Sequence, residues 1–332
     1  MNVKLLIIIA LAGFTLAACS QSEPMNDNPF FDESTLPFEA PDFNEITTDH
    51  YAPAFDRGME EQLSEIEAIV SNTEAPTFDN TIVAMERSGQ LLSRVQSVFY
   101  SLTSAHTNEE LQALQSEYAP KFASHSDDIL LNGELFAKVD ELYQNRESLD
   151  LDPEAMKLLE DTHLDFVRAG ARLTEEEQER MREINARISS LTTEFQEMLL
   201  EMTRERVVVV EEEAMLDGLT SNRIASAKEA AESRGFENSY VLAISNTTRH
   251  PLLASLNNRE LRKRLWEASA YRGIGRDGGI DTRPIVLELA ELRAKRASLL
   301  GYDTYADYAI DPQTAGAPDA VLNMLSDLIP SV

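Results

Sequence analysis

Cysteine is almost missing: Cys19 is the only one in 332 residues. A lone thiol excludes a disulfide framework within the chain and any cysteine-based zinc cluster. Glycine and proline are scarce, at 13 each, which disfavours a turn-rich β architecture and favours long helices. Basic residues are outnumbered two to one, with 29 Lys+Arg against 58 Asp+Glu and a formal charge of −29. So acidic a surface repels a phosphate backbone, which excludes nucleic acid as a partner. It also makes an anionic membrane surface a poor docking site. Histidine is scarce too, at His50, His106, His125, His163 and His250. No two lie three or four apart, so no one helix offers two imidazoles to a metal. The Gly-x-Ser-x-Gly elbow of a serine hydrolase is absent as well.

What is present starts with an address. Lys4 precedes an apolar run from Leu5 to Ala18. That run is too short to span a bilayer comfortably but suits the core of a signal peptide. It ends Leu16-Ala17-Ala18-Cys19, which resembles the bacterial lipobox. Cleavage is expected after Ala18, with Cys19 as the lipidated N-terminus. Residues 1–18 then form a signal peptide and 19–29 a lipidated tether, whose Ser20–Pro24 stretch is polar and flexible. The expected location is the bacterial cell envelope, facing the periplasm, with membrane contact only through the lipid anchor.

The rest, 43 % apolar overall, reads as helices with one small β region. Asn28 to Tyr51 holds Pro29, Pro37 and Pro41 and should be extended. Helical periodicity begins at Ala52 and, after Pro76, resumes from Thr77 to Tyr100. Further helices are expected over Asn108–Ala123, Gly133–Gln144, Pro153–Ala169, Asn258–Tyr271 and Asp281–Leu300, with another starting at Pro318. Thr174 and Glu177 form a capping box at the head of a long helix whose apolar stripe is Met181, Ile184, Ile188, Leu191, Phe195 and Met198. Val207–Val210 is β-branched throughout and predicts a strand. Asn238–Ser245 is a second strand candidate, and Ser221–Arg234 a helix between them. The fold class is mainly α, with a small β region near 205–245.

The chemistry-bearing clusters are weak. Glu175–Glu177 and Glu211–Glu213 could be catalytic or cation-binding carboxylates, but they read more simply as a capped helix start and a solvated loop. Arg272–Gly279 is Gly-rich. It follows a helix rather than a strand and lacks the Gly-Lys-Ser/Thr ending, so it reads as an interhelical loop, not a phosphate cradle. Residue patterns alone therefore give an acidic helical lipoprotein with no visible active site.

Several stretches resemble the thimet-oligopeptidase family of zinc metallopeptidases, and within it the bacterial dipeptidyl carboxypeptidase branch. They are Asn28-Pro29-Phe30-Phe31 with Leu36-Pro37-Phe38, His50–Phe55, Pro76–Thr81, Glu86-Arg87-Ser88-Gly89, Leu216-Asp217-Gly218-Leu219, Asn258–Arg262 and Leu292–Tyr302. Two places depart from the family pattern, Gly278-Gly279-Ile280-Asp281 and Asp311–Gly316. The resemblance implies an almost wholly helical fold, with two lobes flanking a narrow channel that admits short peptides. It implies zinc as cofactor, short peptides as substrates and a monomeric state. Family members are about twice this long, and their H-E-x-x-H zinc motif lies in the second half. No catalytic or metal residue is therefore expected in this chain, and residues 30–332 are expected to form the N-terminal helical part of such an enzyme. They are further expected to be inactive and marginally folded alone, with apolar faces left uncovered around Ile285, Leu289, Leu292 and Leu299. The alternative is a non-catalytic helical lipoprotein that binds peptides or a partner.

Overall fold

The computed structural model describes residues 28–331. Ala18 and Cys19 lie outside the described residues. The architecture is mainly α with one two-stranded antiparallel sheet. No helix among the described residues is long and apolar enough to cross a membrane.

Asn28 to His50 is irregular, with 3-10 turns at Pro37–Glu39 and Thr48–His50. Four helices follow: α1 (Tyr51–Ser71), α2 (Ala84–Glu86), α3 (Gln90–Ala105) and α4 (Glu109–Leu130). Their first core is aromatic, with Tyr51 and Phe55 from α1, Phe99 from α3 and Tyr118 from α4, closed by Phe30. Gly58 lets α1 approach α3, because a Cβ there would stand 2.9 Å from the Leu92 backbone. A second core joins Ile66 and Ile69 at the end of α1 to Ile82, to Leu135 and Val139 of α5 (Gly133–Gln144), and to Leu159 and Phe166 of α6 (Pro153–Ala169).

The stretch from Thr77 to Tyr100 is not the single helix its periodicity suggests. A π-turn over Phe78–Val83 leads into α2, and the chain then breaks at Ser88-Gly89 before α3. Gly89 sits at φ +70 with its N–H donating to Glu65 Oε2 at 2.7 Å, so a contact to α1 takes precedence over continuing the helix.

The spine is α7 (Glu175–Glu205), capped as the sequence predicts: Glu177 N–H donates to Thr174 Oγ1 and Thr174 N–H donates to Glu177 Oε2 at 3.0 Å. It packs against α4 on one side and α11 (Arg283–Leu299) on another. After α7 come β1 (Val207–Val210), α8 (Ser221–Glu232), β2 (Tyr240–Ala243), α9 (Asn246–Ser255) and α10 (Arg259–Ala270). The strands pair with Val207 opposite Ala243 and Val210 opposite Tyr240. Alternate residues Val208 and Val210 point into a third core with Leu216, Leu242, Leu261 and Leu265. Arg264 donates to the Val209 carbonyl at 2.7 Å, which occupies a ribbon acceptor with a side chain. The chain continues through α12 (Tyr305–Ile310) to α13 (Pro318–Leu328).

The expected uncovered face of α11 needs correction. Ile285 and Leu289 are each only 7 % exposed, because they pack on Leu191 of α7. Leu292 and Leu299 are half-buried. The large apolar side chains exposed on α11 are Val286 and Leu287.

Candidate functional site

A concave surface carrying charge runs between the first half of α7 and the last half of α11, with a volume of about 690 Å³. Its position follows from the sequence. The Thr174 box fixes where α7 begins, and the Leu191–Ile285–Leu289 contact fixes how α11 lies on it. Arg187 donates twice to Glu288, Nε at 2.6 Å and an Nη at 2.8 Å, which sets the register of the two helices. That pairing holds the Glu288 carboxyl below the usual carboxylate range. The groove presents Arg180, Arg187 and Lys295 beside Glu183, over Ile184 and Leu292. Such a mixture can grip both the charged ends and the apolar side chains of a peptide.

The histidines do not gather there. His50 accepts the Thr47 N–H at Nδ1, 3.0 Å away, and so caps a 3-10 turn. His106 and His250 are exposed. His163 is buried, stacked on Tyr143 at 3.7 Å, with its Nε2 2.9 Å from Asp140 Oδ1. Arg172 also reaches that carboxylate, at 3.3 Å, so the cluster ties α6 to α5. Among the described residues no three His, Cys, Asp or Glu side chains come together as a metal site. The donor set thus does not fit zinc, and no hydrolytic step is assigned to these residues.

The acid clusters behave as helix start and loop. Glu175–Glu177 open α7, where negative charge suits the helix dipole. Glu211–Glu213 are exposed, and Glu213 accepts from Tyr240. The Gly-rich loop closes on itself through an antiparallel bridge between Ile274 and Asp281. Thr282 N–H donates to the Gly273 carbonyl at 2.8 Å, and Arg283 grips Asp281 twice. Those bonds hold the Asp281 carboxyl at about 2.

Two polar clusters escaped the sequence reading. One is a pair of contacts made by α4, through buried His125 to α1 and through buried Asp127 to α7. His125 Nε2 lies 2.7 Å from Gln62 Oε1, and Asn185 donates to Asp127 Oδ1 at 2.7 Å. The other joins the end of α6 to α12. Tyr302 donates to Asp311 at 2.8 Å, while Arg168 approaches Asp311 at 3.4 Å and lies over the Tyr308 ring. Asp311, within a departure from the family pattern, thus has a bracing role.

His125 supports a pH prediction. Its neutral Nε2–H suits Gln62, but Nδ1 is buried with no partner. Burial lowers its pKa below 6.5, against a smaller opposing pull from Asp128. The unfolded chain therefore binds this proton more readily, and stability from His125 falls as pH drops below about 6.5. Melting temperatures at pH 7.5 and 5.5 should separate further for the native chain than for His125→Asn. Equal separations would remove His125 as the source.

With the geometry in place, comparison with known proteins is informative. The sequence profile of peptidase family M3 matches residues 252–332. The dipeptidyl carboxypeptidase of Escherichia coli is 43 % identical over 304 residues, covering 92 % of this chain and 44 % of that protein. The Salmonella typhimurium dipeptidyl carboxypeptidase is 42 % identical over 306 residues, covering 92 % and 45 %. Oligopeptidase A of Escherichia coli is 26 % identical over 295 residues, covering 88 % and 43 %. The chain therefore spans less than half the length of these relatives. An alignment this long, at this identity and with the family profile inside it, assigns the chain: it belongs to peptidase family M3.

Proposed function

We propose that this chain is the scaffold portion of a lipid-anchored, periplasm-facing zinc peptidase that releases dipeptides from the C-termini of short peptides. The observation that carries the reading is the 43 % identity to a dipeptidyl carboxypeptidase across 92 % of the chain. On this reading the zinc centre belongs to family sequence outside the aligned stretch. The α7–α11 groove, with its paired charges over an apolar floor, contributes to the wall along which a short peptide lies. Zinc when bound supplies a Lewis acid and an activated water. The residues described here would position the peptide and exclude water around it.

The test is to express the gene's whole reading frame, with whatever follows Val332, and follow cleavage of N-blocked pentapeptides by mass spectrometry. Stepwise loss of C-terminal dipeptides is expected, abolished by a chelator and restored by zinc. Release of single residues would overturn the dipeptidyl assignment. No hydrolysis by a folded, zinc-loaded product would overturn the peptidase reading.

The anchor is a separate prediction. Mass spectrometry of the mature N-terminus should find an acylated Cys19 following removal of residues up to Ala18. Cys19→Ser should leave the protein unacylated and out of the membrane fraction. An unmodified thiol, with cleavage elsewhere, would sink the lipoprotein reading.

A further inference from the structure

The C-terminal half of α4 is polar yet partly buried, and it leaves hydrogen-bonding atoms unused. Asp127 is only 6 % exposed. Asn185 Nδ2 donates to its Oδ1 at 2.7 Å, but the second carboxyl oxygen, Oδ2, is buried without a partner. So is Oδ1 of the same Asn185 amide. Two acceptors are thus stranded on one hydrogen-bonded pair, with no proton between them. A buried acceptor left empty is costly, and more so when it carries charge. Neither nearby guanidinium supplies the missing donor. Arg182 of α7 donates to the neighbouring Asp128 at 3.3 Å. Arg296 of α11 lies over the Tyr308 ring, its Nε buried and without a hydrogen-bond partner. These two cations and Asp128 are the charges that act on Asp127. On the α1 side, α4 meets the neutral amide of Gln62 through His125.

One proton satisfies both stranded atoms. We propose that Asp127 is buried as a neutral carboxylic acid, Oδ2–H donating to Asn185 Oδ1, and that loss of this proton as pH rises unseats the C-terminal half of α4 from α7. A carboxyl and an amide are both planar, so O–H to O and N–H to O together close a two-bond ring. Release of the proton to solvent removes one bond and leaves a carboxylate oxygen beside an amide oxygen. Burial acts in the same sense, raising the Asp127 pKa above its ordinary value, with Asp128 adding to it and Asn185, Arg182 and Arg296 pulling the other way. The folded chain then holds this proton more tightly than the unfolded chain. Its stabilisation is complete below the ordinary aspartate pKa and is lost as pH rises through the folded one. His125, two residues earlier, titrates in the opposite sense. The end of α4 is therefore seated best between the two titrations. Asn185 adjoins Ile184 and Arg296 adjoins Lys295, so the switch lies one residue from the α7–α11 groove on both helices. It does not rest on the peptidase reading.

Asp127→Asn in the full chain is the test, because its amide donates to Asn185 where the acid proton would and cannot ionise. The infrared difference spectrum, native minus variant, should show the carbonyl band of one protonated carboxyl at pH 5, where an ordinary aspartate is ionised. By pH 8.5 a carboxylate band should replace it. A carboxylate band at pH 5 would overturn the proposal, since the charge would then be buried beside Arg182 and Arg296. Melting temperatures are compared in a His125→Asn background, which removes the opposing titration. The variant should gain on the native chain by about 2–4 °C between pH 5 and pH 8.5. A gap that stays constant or narrows would overturn the switch. Hydrogen exchange of the native chain needs no variant. After correction for the intrinsic pH dependence, amides of residues 124–130 should exchange faster at pH 8.5 than at pH 5, relative to those of α5. Equal ratios at the two pH values would mean that α4 stays seated, and would overturn the switch as well.

Discussion

Phe55→Ala should remove about 3–5 kcal/mol of unfolding free energy, the range for deleting a buried aromatic ring. Phe55 is fully buried where α1, α3 and α4 meet. Its ring stands edge-on to Phe99 at 5.2 Å and to Phe122 at 4.9 Å, and tilted to Tyr118 at 5.0 Å. Such pairs add roughly 0.5–1.5 kcal/mol each beyond burial. The hole cannot easily collapse, since Tyr118 is held by its hydroxyl donating to Asp56 Oδ1 at 3.0 Å. Typical whole-protein stability is only about 5–15 kcal/mol, so this one change should bring the first core close to unfolding. Tyr51→Phe, one turn away, is the contrast. It keeps the ring but removes a buried hydroxyl that has no hydrogen-bond partner, and that burial pushes the phenol pKa up to about 12. It should cost nothing or stabilise slightly. Urea unfolding followed by circular dichroism reads both variants. A loss below about 1 kcal/mol for Phe55→Ala would contradict the cavity cost expected for an aromatic core.

Much of this fold is legible because local signals agree with tertiary packing. Val207–Val210 is a strand to the residue, since four β-branched side chains resist a helix and alternate into a core. The Thr174–Glu177 box and Gly133–Gln144 fall where pattern and caps place them. The failures have physical causes. The expected helix ends at Ala123, but α4 runs to Leu130 through Ser-His-Ser-Asp-Asp, a polar run. That run is helical because His125 and Asp127 find partners on α1 and α7, far away in sequence. Helix α9 contains Pro251 and poor helix formers, yet a Ser245–Thr248 box starts it and buried Leu252 holds it to the third core. Helix α12 is likewise started by a Thr304–Asp307 box. The groove was hidden for a similar reason. Its walls lie about a hundred residues apart, and the Arg187–Glu288 clamp leaves no local pattern.

Gly218→Ala should be the most damaging single-methyl change in the β region, at roughly 2–4 kcal/mol from left-handed strain and overpacking together. Gly218 sits at φ +96, and a Cβ there would overlap the Ser255 carbonyl oxygen and stand 3.0 Å from the Asn257 nitrogen. Asn257 is pinned in place. Asn257 N–H donates to the Asp217 carbonyl at 2.9 Å, and its side chain donates to Asp217 Oδ2 at 3.0 Å. This pair of hydrogen bonds between two loops aligns the end of α9 with the turn after β1, over fully buried Leu216. The Leu216-Asp217-Gly218-Leu219 run is thus a docking corner in which glycine serves close approach as well as conformation. Gly235→Ala separates the two effects. Gly235 has φ +76, but no atom lies within 4 Å of where its Cβ would stand, so the alanine should bring only the strain, about 1–2 kcal/mol. Thermal unfolding of both variants, with hydrogen exchange at Val208 and Leu242, decides the matter. Equal losses at 218 and 235 would mean the corner yields, and that the Asp217–Asn257 contact is not rigid.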